Sequence, residues 1–168
     1  VHNPAPTRAE VTDIANAVLD GSDALMLSAE TASGQYPFKC VQTMAEVIRE
    51  VERTGKYYYK MSLDDEFLSV AESIAASACL CAKKLNAAVI VCLTTSGKTA
   101  TLISKSRPKA KIIAVTHLIP TLNRLELIWG IHTIAINPYD STDSAIFQIE
   151  DMLLKYGLVK PGNKMILT

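Results

Sequence analysis

The chain has 168 residues, 49% of them hydrophobic, and 17 Lys and Arg against 17 Asp and Glu: enough apolar side chains to bury a core, and no net charge. Phosphate backbones are bound by a cationic surplus or at least a basic patch, and this chain shows neither, which excludes nucleic acid as a main partner. Its apolar runs fall far short of the roughly 20 residues of a bilayer crossing, and it opens on no charged-then-apolar leader pattern, so no membrane partner is expected and the chain reads as neither spanning nor secreted.

In chain order, Thr7 and Glu10 make a T-x-x-E capping box, and Val11, Ile14, Ala15 and Val18 recur at helical spacing, predicting a helix that ends at Asp20-Gly21. Ala24 to Leu27, a short apolar run behind turn residues, predicts a strand. A second helix is expected from Tyr36-Pro37 to Thr54-Gly55, with Val41, Met44, Ile48 and Val51 on one face. One strand between two helices cannot satisfy its backbone or cover both its faces, so this part reads as a piece of something larger. Lys56 to Leu68, with three tyrosines and then Asp64-Asp65-Glu66, lacks a period and reads as a linker, placing a domain boundary near residue 63.

Residues 64–168 alternate regularly. A second capping box, Ser69 to Glu72, opens a helix with Ile74, Ala78, Ala82 and Leu85 expected inward. Strands are predicted at Ala88–Leu93, Lys111–Thr116, His132–Asn137 and Lys164–Thr168, with helices near Lys98–Ser106, Pro120–Trp129 and Thr142–Tyr156 between them. Such alternation with strands this apolar predicts a three-layer α/β/α domain around a mostly parallel sheet. "GNKMILT" reads as a strand without a closing turn, and with the lone strand near the start it raises the expectation of truncation at both ends.

The cysteines, Cys40, Cys79, Cys81 and Cys92, lack metal-type pairing, and Cys81 and Cys92 fall in apolar segments where a thiol packs as a small hydrophobe, fitting a reducing cytosol. His2, His117 and His132 follow no zinc pattern, so no metal site is expected. Arg107-Pro108 reads as a helix terminator with a surface arginine, Trp129-Gly130 as a packing residue with a C-cap, and Lys83-Lys84 as a solvated face.

Two loops follow strands at the carboxyl end, where α/β folds gather ligands. In Ser28-Ala29-Glu30-Thr31 the plain reading has the hydroxyls on local backbone and Glu30 in solvent. "CLTTSGKTA" runs strand, turn, helix, and Thr94, Thr95, Ser96, Gly97, Lys98 and Thr99 offer hydroxyls, a flexible backbone, a charge and a helix N-terminus to one anion. It is not a Walker A loop, since Cys92 stands where that spacing requires glycine. A phosphate cradle and a plain N-cap with exposed Lys98 stand side by side as readings.

The stretch "NPAPTRAEVTDIANAVLDGSDALMLSAETASGQYP" resembles the pyruvate kinase family, at the last strand of its catalytic (β/α)8 barrel, and "LTTSGKTA", "SRPKAKIIAVT" and "GLVKPGNKMILT" follow in family order. Ala29 resembles the bacterial form of the "SAET" motif. The resemblance implies residues 1–63 as the end of the barrel plus linker and 64–168 as a C-terminal effector-binding domain, truncated at its end. It implies a glycolytic, cytoplasmic phosphotransferase acting on phosphoenolpyruvate and ADP, with Mg2+ or Mn2+ and K+, and a homo-oligomer, usually a tetramer. By the same resemblance Thr7 and Ser28 belong to the route that protonates the enolate, and Thr94 to Thr99 to the site of a phosphorylated effector. The lysine and metal ligands would lie on earlier strands outside this chain, so the fragment is expected to be inactive. The competing expectation is a stand-alone phosphometabolite-binding or oligomerisation module.

Overall fold

The computed structural model describes residues 2–55, 58 and 68–168. It divides into two compact units, Val1–Tyr58 and Tyr59–Thr168. The expected boundary near residue 63, and all of the Lys56–Leu68 linker except Tyr58 and Leu68, lie outside the described residues.

In the first unit, α1 (Arg8–Asp20) begins at Thr7 and ends at Gly21, whose left-handed φ of 99° lets its N–H reach back to the carbonyls of Ala17 and Val18. Then come α2 (Ala29–Ala32) and α3 (Pro37–Arg53), the latter opening on Pro37, whose missing N–H costs nothing in a first turn. The strand expected at 24–27 is not there: the segment lacks strand pairing among the described residues. A strand is held by hydrogen bonds to a neighbour, and this unit offers none, so the sequence pattern alone does not make one. The unit has little core. Val18 is its one buried residue among those described, while Met26 and Phe38 are 87% and 91% exposed.

In the second unit α4 (Val70–Leu85), β1 (Val89–Leu93), α5 (Lys98–Lys105), β2 (Lys111–Thr116), α6 (Ile119–Leu125), β3 (Ile131–Ala135), α7 (Thr142–Lys155) and β4 (Met165–Leu167) follow the expected alternation. The sheet has the order β3-β2-β1-β4 and every pairing is parallel, with Ile90 opposite Ile112 and Ile166, and Ile113 opposite His132. Because side chains alternate along a strand, each central strand supplies two cores. Ile90, Cys92, Ile112, Ala114 and Ile131 pack with α4, α5 and Leu125. Val89, Val91, Ile113, Val115 and Ile134 pack with Ala145, Ile149 and Leu153 of α7. This is a three-layer α/β/α arrangement. Burying one such Ile, Leu or Val contributes about 1.5–3 kcal/mol.

Four local expectations are corrected. On α4 the inward face is Ala75, Ala78, Cys79 and Ala82, while Ile74 and Leu85 are about half exposed: helix and sheet approach closely, and only small side chains fit between them. Cys81 is exposed, and it is Cys79 that joins Cys92 in the core. Arg107 is not a surface residue: it is 4% exposed and lies 4.7 Å over the Trp129 ring, its stem and guanidinium covered by an aromatic face. Finally, α6 stops at Leu125, because beyond it Leu127, Ile128 and Ile131 bond back three residues rather than four, in turns that lead into β3.

The α4 face has a direct test. Ala75→Leu should destabilise the second unit by about 1–3 kcal/mol through overpacking, whereas Ile74→Ala should stay within about 0.5 kcal/mol as a change at a surface position. Urea unfolding of the two variants decides between this face and the one expected from the sequence, which reverses the ranking.

Candidate functional site

Thr7 stands at the N-terminus of α1 with its hydroxyl fully engaged. Its Oγ1 donates to Glu10 Oε2 at 2.8 Å and accepts the Glu10 N–H, while the Thr7 N–H donates to the same carboxylate at 2.7 Å. These bonds, the backbone one foremost, hold the Glu10 carboxyl below its ordinary value of 4.5. Thr7, Glu10, Asp13, Glu30 and Lys39 surround a cavity of about 330 Å³ whose apolar wall includes Ile14, Met26 and Met44.

Ser28 is close by in sequence to this wall but is not among the residues lining the cavity. The turn it begins is self-contained: the Ser28 carbonyl accepts from the N–H groups of Thr31 and Ala32 and from Thr31 Oγ1, and the Ser28 N–H donates to Glu30 Oε2 at 2.9 Å. Thr31 therefore bonds local backbone as the plain reading holds, but Glu30 turns back onto the chain and lines the cavity. Its own N–H and that of Ser28 hold its carboxyl below 4.5.

The second loop lies at the carboxyl end of β1, with β2 on one side and β4 on the other. The connections through α5 and α6 run over the sheet face that also holds α4, and the one through α7 over the opposite face. Strand order thus reverses beside β1, which is the place where open α/β sheets form a ligand crevice. Gly97 takes a left-handed φ of 80° and starts α5. A Cβ there would meet Leu125 Cδ2 at 2.9 Å, so glycine is required both by conformation and by space.

Thr94 Oγ1 accepts the Gly97 N–H at 2.9 Å and Ser96 Oγ accepts the Lys98 N–H at 3.4 Å. The cap reading and the cradle reading therefore coexist, because a hydroxyl that accepts one bond retains its own O–H as a donor. Thr95, Ser96 and Lys98 are exposed, Thr94 and Thr99 half-buried. The first-turn amides of α5 lack intrahelical acceptors. Cys92, where a Walker loop would have glycine, is fully buried, and burial pushes its thiol up to about 11. It is a core residue and no nucleophile. Two contacts to the loop come from α6, unforeseen from the sequence: Thr121 Oγ1 donates to the Thr95 carbonyl at 3.0 Å, and an Arg124 Nη2–H donates to the Ser96 carbonyl. The T-x-x-R spacing puts both on one helix face, but nothing in the sequence says which loop that face meets.

A three-layer α/β/α domain with a hydroxyl-rich loop at the reversal of its parallel sheet, preceded in sequence by a small helical unit, defines the class as a two-unit α/β protein. Residues 72–168 match the family description "Pyruvate kinase, alpha/beta domain", and residues 1–41 match "Pyruvate kinase, barrel domain". The chain belongs to the pyruvate kinase family. It is 39% identical to a pyruvate kinase of Clostridium acetobutylicum over 99% of this chain and 36% of that one, and 40% identical to one of Geobacillus stearothermophilus over 99% and 29%. The crystal structure of a pyruvate kinase from Cryptosporidium parvum superposes with a TM-score of 0.87 at 35% identity, over 99% of this chain and 34% of that one. The chain thus spans about a third of the length of these relatives.

The capping carboxylate sets a pH dependence. Because the Glu10 pKa is lowered in the folded state, the cap is fully present above the ordinary value of 4.5 and is lost as pH falls through the lower folded value. An NMR titration from neutral to acid pH should show the Glu10 carboxyl and the Thr7 amide changing together at one midpoint below 4.5. Glu10→Gln should abolish that step in the Thr7 amide.

Proposed function

We propose that the chain is the C-terminal part of a pyruvate kinase, an enzyme of glycolysis that transfers a phosphoryl group from phosphoenolpyruvate to ADP and yields pyruvate and ATP. The observation that carries this reading is the match through both units, barrel description and α/β description in succession. In this reading Thr7 and Ser28 stand at one corner of the active site, where the enolate takes a proton on carbon through a hydroxyl and a water. The second unit is the effector domain, and Thr94, Thr95, Ser96, Gly97, Lys98 and Thr99 bind the phosphate of a small-molecule effector. The whole enzyme is cytoplasmic and a homo-oligomer, a tetramer by family habit.

The reaction uses Mg2+ or Mn2+, with K+, and the residues of this chain do not fit them. No group of three or more His, Cys, Asp or Glu gathers among the described residues. The two carboxylates nearest Thr7 and Ser28, Glu10 and Glu30, are already turned onto backbone N–H groups. In this reading, as the family resemblance implies, the metal ligands and the catalytic lysine belong to other barrel strands, and the 168-residue chain has no phosphoryl transfer of its own. In a coupled assay with phosphoenolpyruvate, ADP and magnesium it should show no turnover. Activity that copurifies with this species overturns the expectation that the chain is inactive by itself.

The effector reading is tested separately, by titration with the phosphorylated and unphosphorylated forms of one sugar. The phosphorylated form should bind preferentially, and Lys98→Ala should weaken it by about 1–3 kcal/mol, the scale of a charge-assisted hydrogen bond, with the fold intact. Equal binding of the two forms would leave the loop as a helix cap. The rival reading, a stand-alone phosphometabolite-binding module, is favoured by the second unit having its own two-sided core around the loop; the reading frame upstream of Val1 separates the two.

A further inference from the structure

We infer that α6 is the positioning element of the 94–99 loop: Thr121, Arg124 and Leu125, one turn apart on a single face of α6, hold Thr95, Ser96 and Gly97 in the conformation that presents the loop to an anion. The inference rests on the anion reading of the loop given above and adds the residues that shape it.

Three consecutive loop residues are held by three residues of one helical face. Thr121, 8% exposed, donates its hydroxyl to the Thr95 carbonyl at 3.0 Å. Arg124 donates to the Ser96 carbonyl. Leu125, 1% exposed, closes the space over Gly97. In a trans peptide the N–H points opposite to the C=O. Drawing the Thr95 and Ser96 carbonyls toward α6 therefore turns the following N–H groups, those of Ser96 and Gly97, to the side away from it. The Gly97 N–H is met there by Thr94 Oγ1, which orients that hydroxyl as well.

The same two bonds remove carbonyl oxygens, which repel an anion, from the presenting side. Arg124 is exposed, so its charge stands beside the loop while one of its N–H groups serves the backbone. α6 is packed against β2 and β3, and any shift of the helix on those strands is transmitted to the loop through these contacts. Affinity at the loop is thus governed by side chains that need not touch the ligand themselves.

The test uses the 168-residue chain with inorganic phosphate as probe, read by amide NMR, and compares wild type with Thr121→Val, Thr121→Ser, Arg124→Met and, as control, Asn123→Ala on the exposed side of α6. Without phosphate, Thr121→Val and Arg124→Met should each shift the Ser96 and Gly97 amides and speed their exchange with water. With phosphate, each should weaken binding by about two- to tenfold, as expected for one lost hydrogen bond. Thr121→Ser should restore both readouts, since it keeps the donor, and Asn123→Ala should leave both unchanged. A merely structural role would lower the melting temperature without moving the loop amides. Unchanged Ser96 and Gly97 amides in Thr121→Val and Arg124→Met overturn the inference, as does a Thr121→Ser variant that fails to restore them. Arg124 is exposed, so its variant keeps the test alive if Thr121→Val does not fold. If wild type shows no phosphate-induced shifts, it is the anion reading that falls, and the phosphate-free arm still decides whether α6 shapes the loop.

Discussion

The second unit depends on one constraint, a parallel sheet whose central strands are buried on both faces. Val89, Ile90, Val91, Cys92, Ile112, Ile113, Ala114 and Val115 are all fully buried, so neither face can be left to water and helices must cover both. A chain that covers both faces has to cross from one to the other. Here the crossing is the β3-α7-β4 connection, and it places β4 on the far side of β1 from β2. The reversal of strand order beside β1, and with it the position of the 94–99 loop, is a consequence of covering the sheet.

At the loop, stability and recognition share atoms. Thr94 and Ser96 satisfy the backbone at the start of α5 with their lone pairs and keep their protons. Gly97 serves the turn and the packing of Leu125 at once. Thr7 differs: it lines a cavity, but its hydroxyl both donates to and accepts from Glu10, so its proton is spent on the cap. At Thr94 and Ser96 a preference for one role over the other would be a false choice, because a hydroxyl has both an acceptor and a donor side.

The first unit follows a different balance. Its helices are well specified locally, by a capping box and glycine in α1 and by proline in α3, yet it buries almost nothing. Helical hydrogen bonds close within a segment, so α1 and α3 form from local sequence. A strand has no internal hydrogen bonds, so the apolar run at 24–27, without a neighbour to pair with among the described residues, does not become one. The unit therefore shows which parts of its sequence pattern are self-sufficient and which need a neighbour.

Much of the second unit was legible in the residues themselves. The capping box at Ser69, the short apolar runs of β1 to β3 and the alternation of helix and strand set element order, approximate bounds and a parallel sheet, since each depends on residues close in sequence. The hydroxyls, glycine and lysine of the loop were visible as a motif for the same reason. What remained hidden depended on distant partners: which face of α4 meets the sheet, where Arg107 finds the Trp129 ring, and which helix supports the loop. Ile74 and Ala75 are neighbours in sequence, and only the close approach of α4 to β1 and β4 makes the smaller one the core residue. The sequence by itself determined the local elements and the chemistry available at each loop, because caps, turns and periodicity act over a few residues. The tertiary structure alone decided which of those chemistries meet, as Thr121 and Thr95, 26 positions apart, do at 3.0 Å, because packing joins residues by shape and not by distance along the chain.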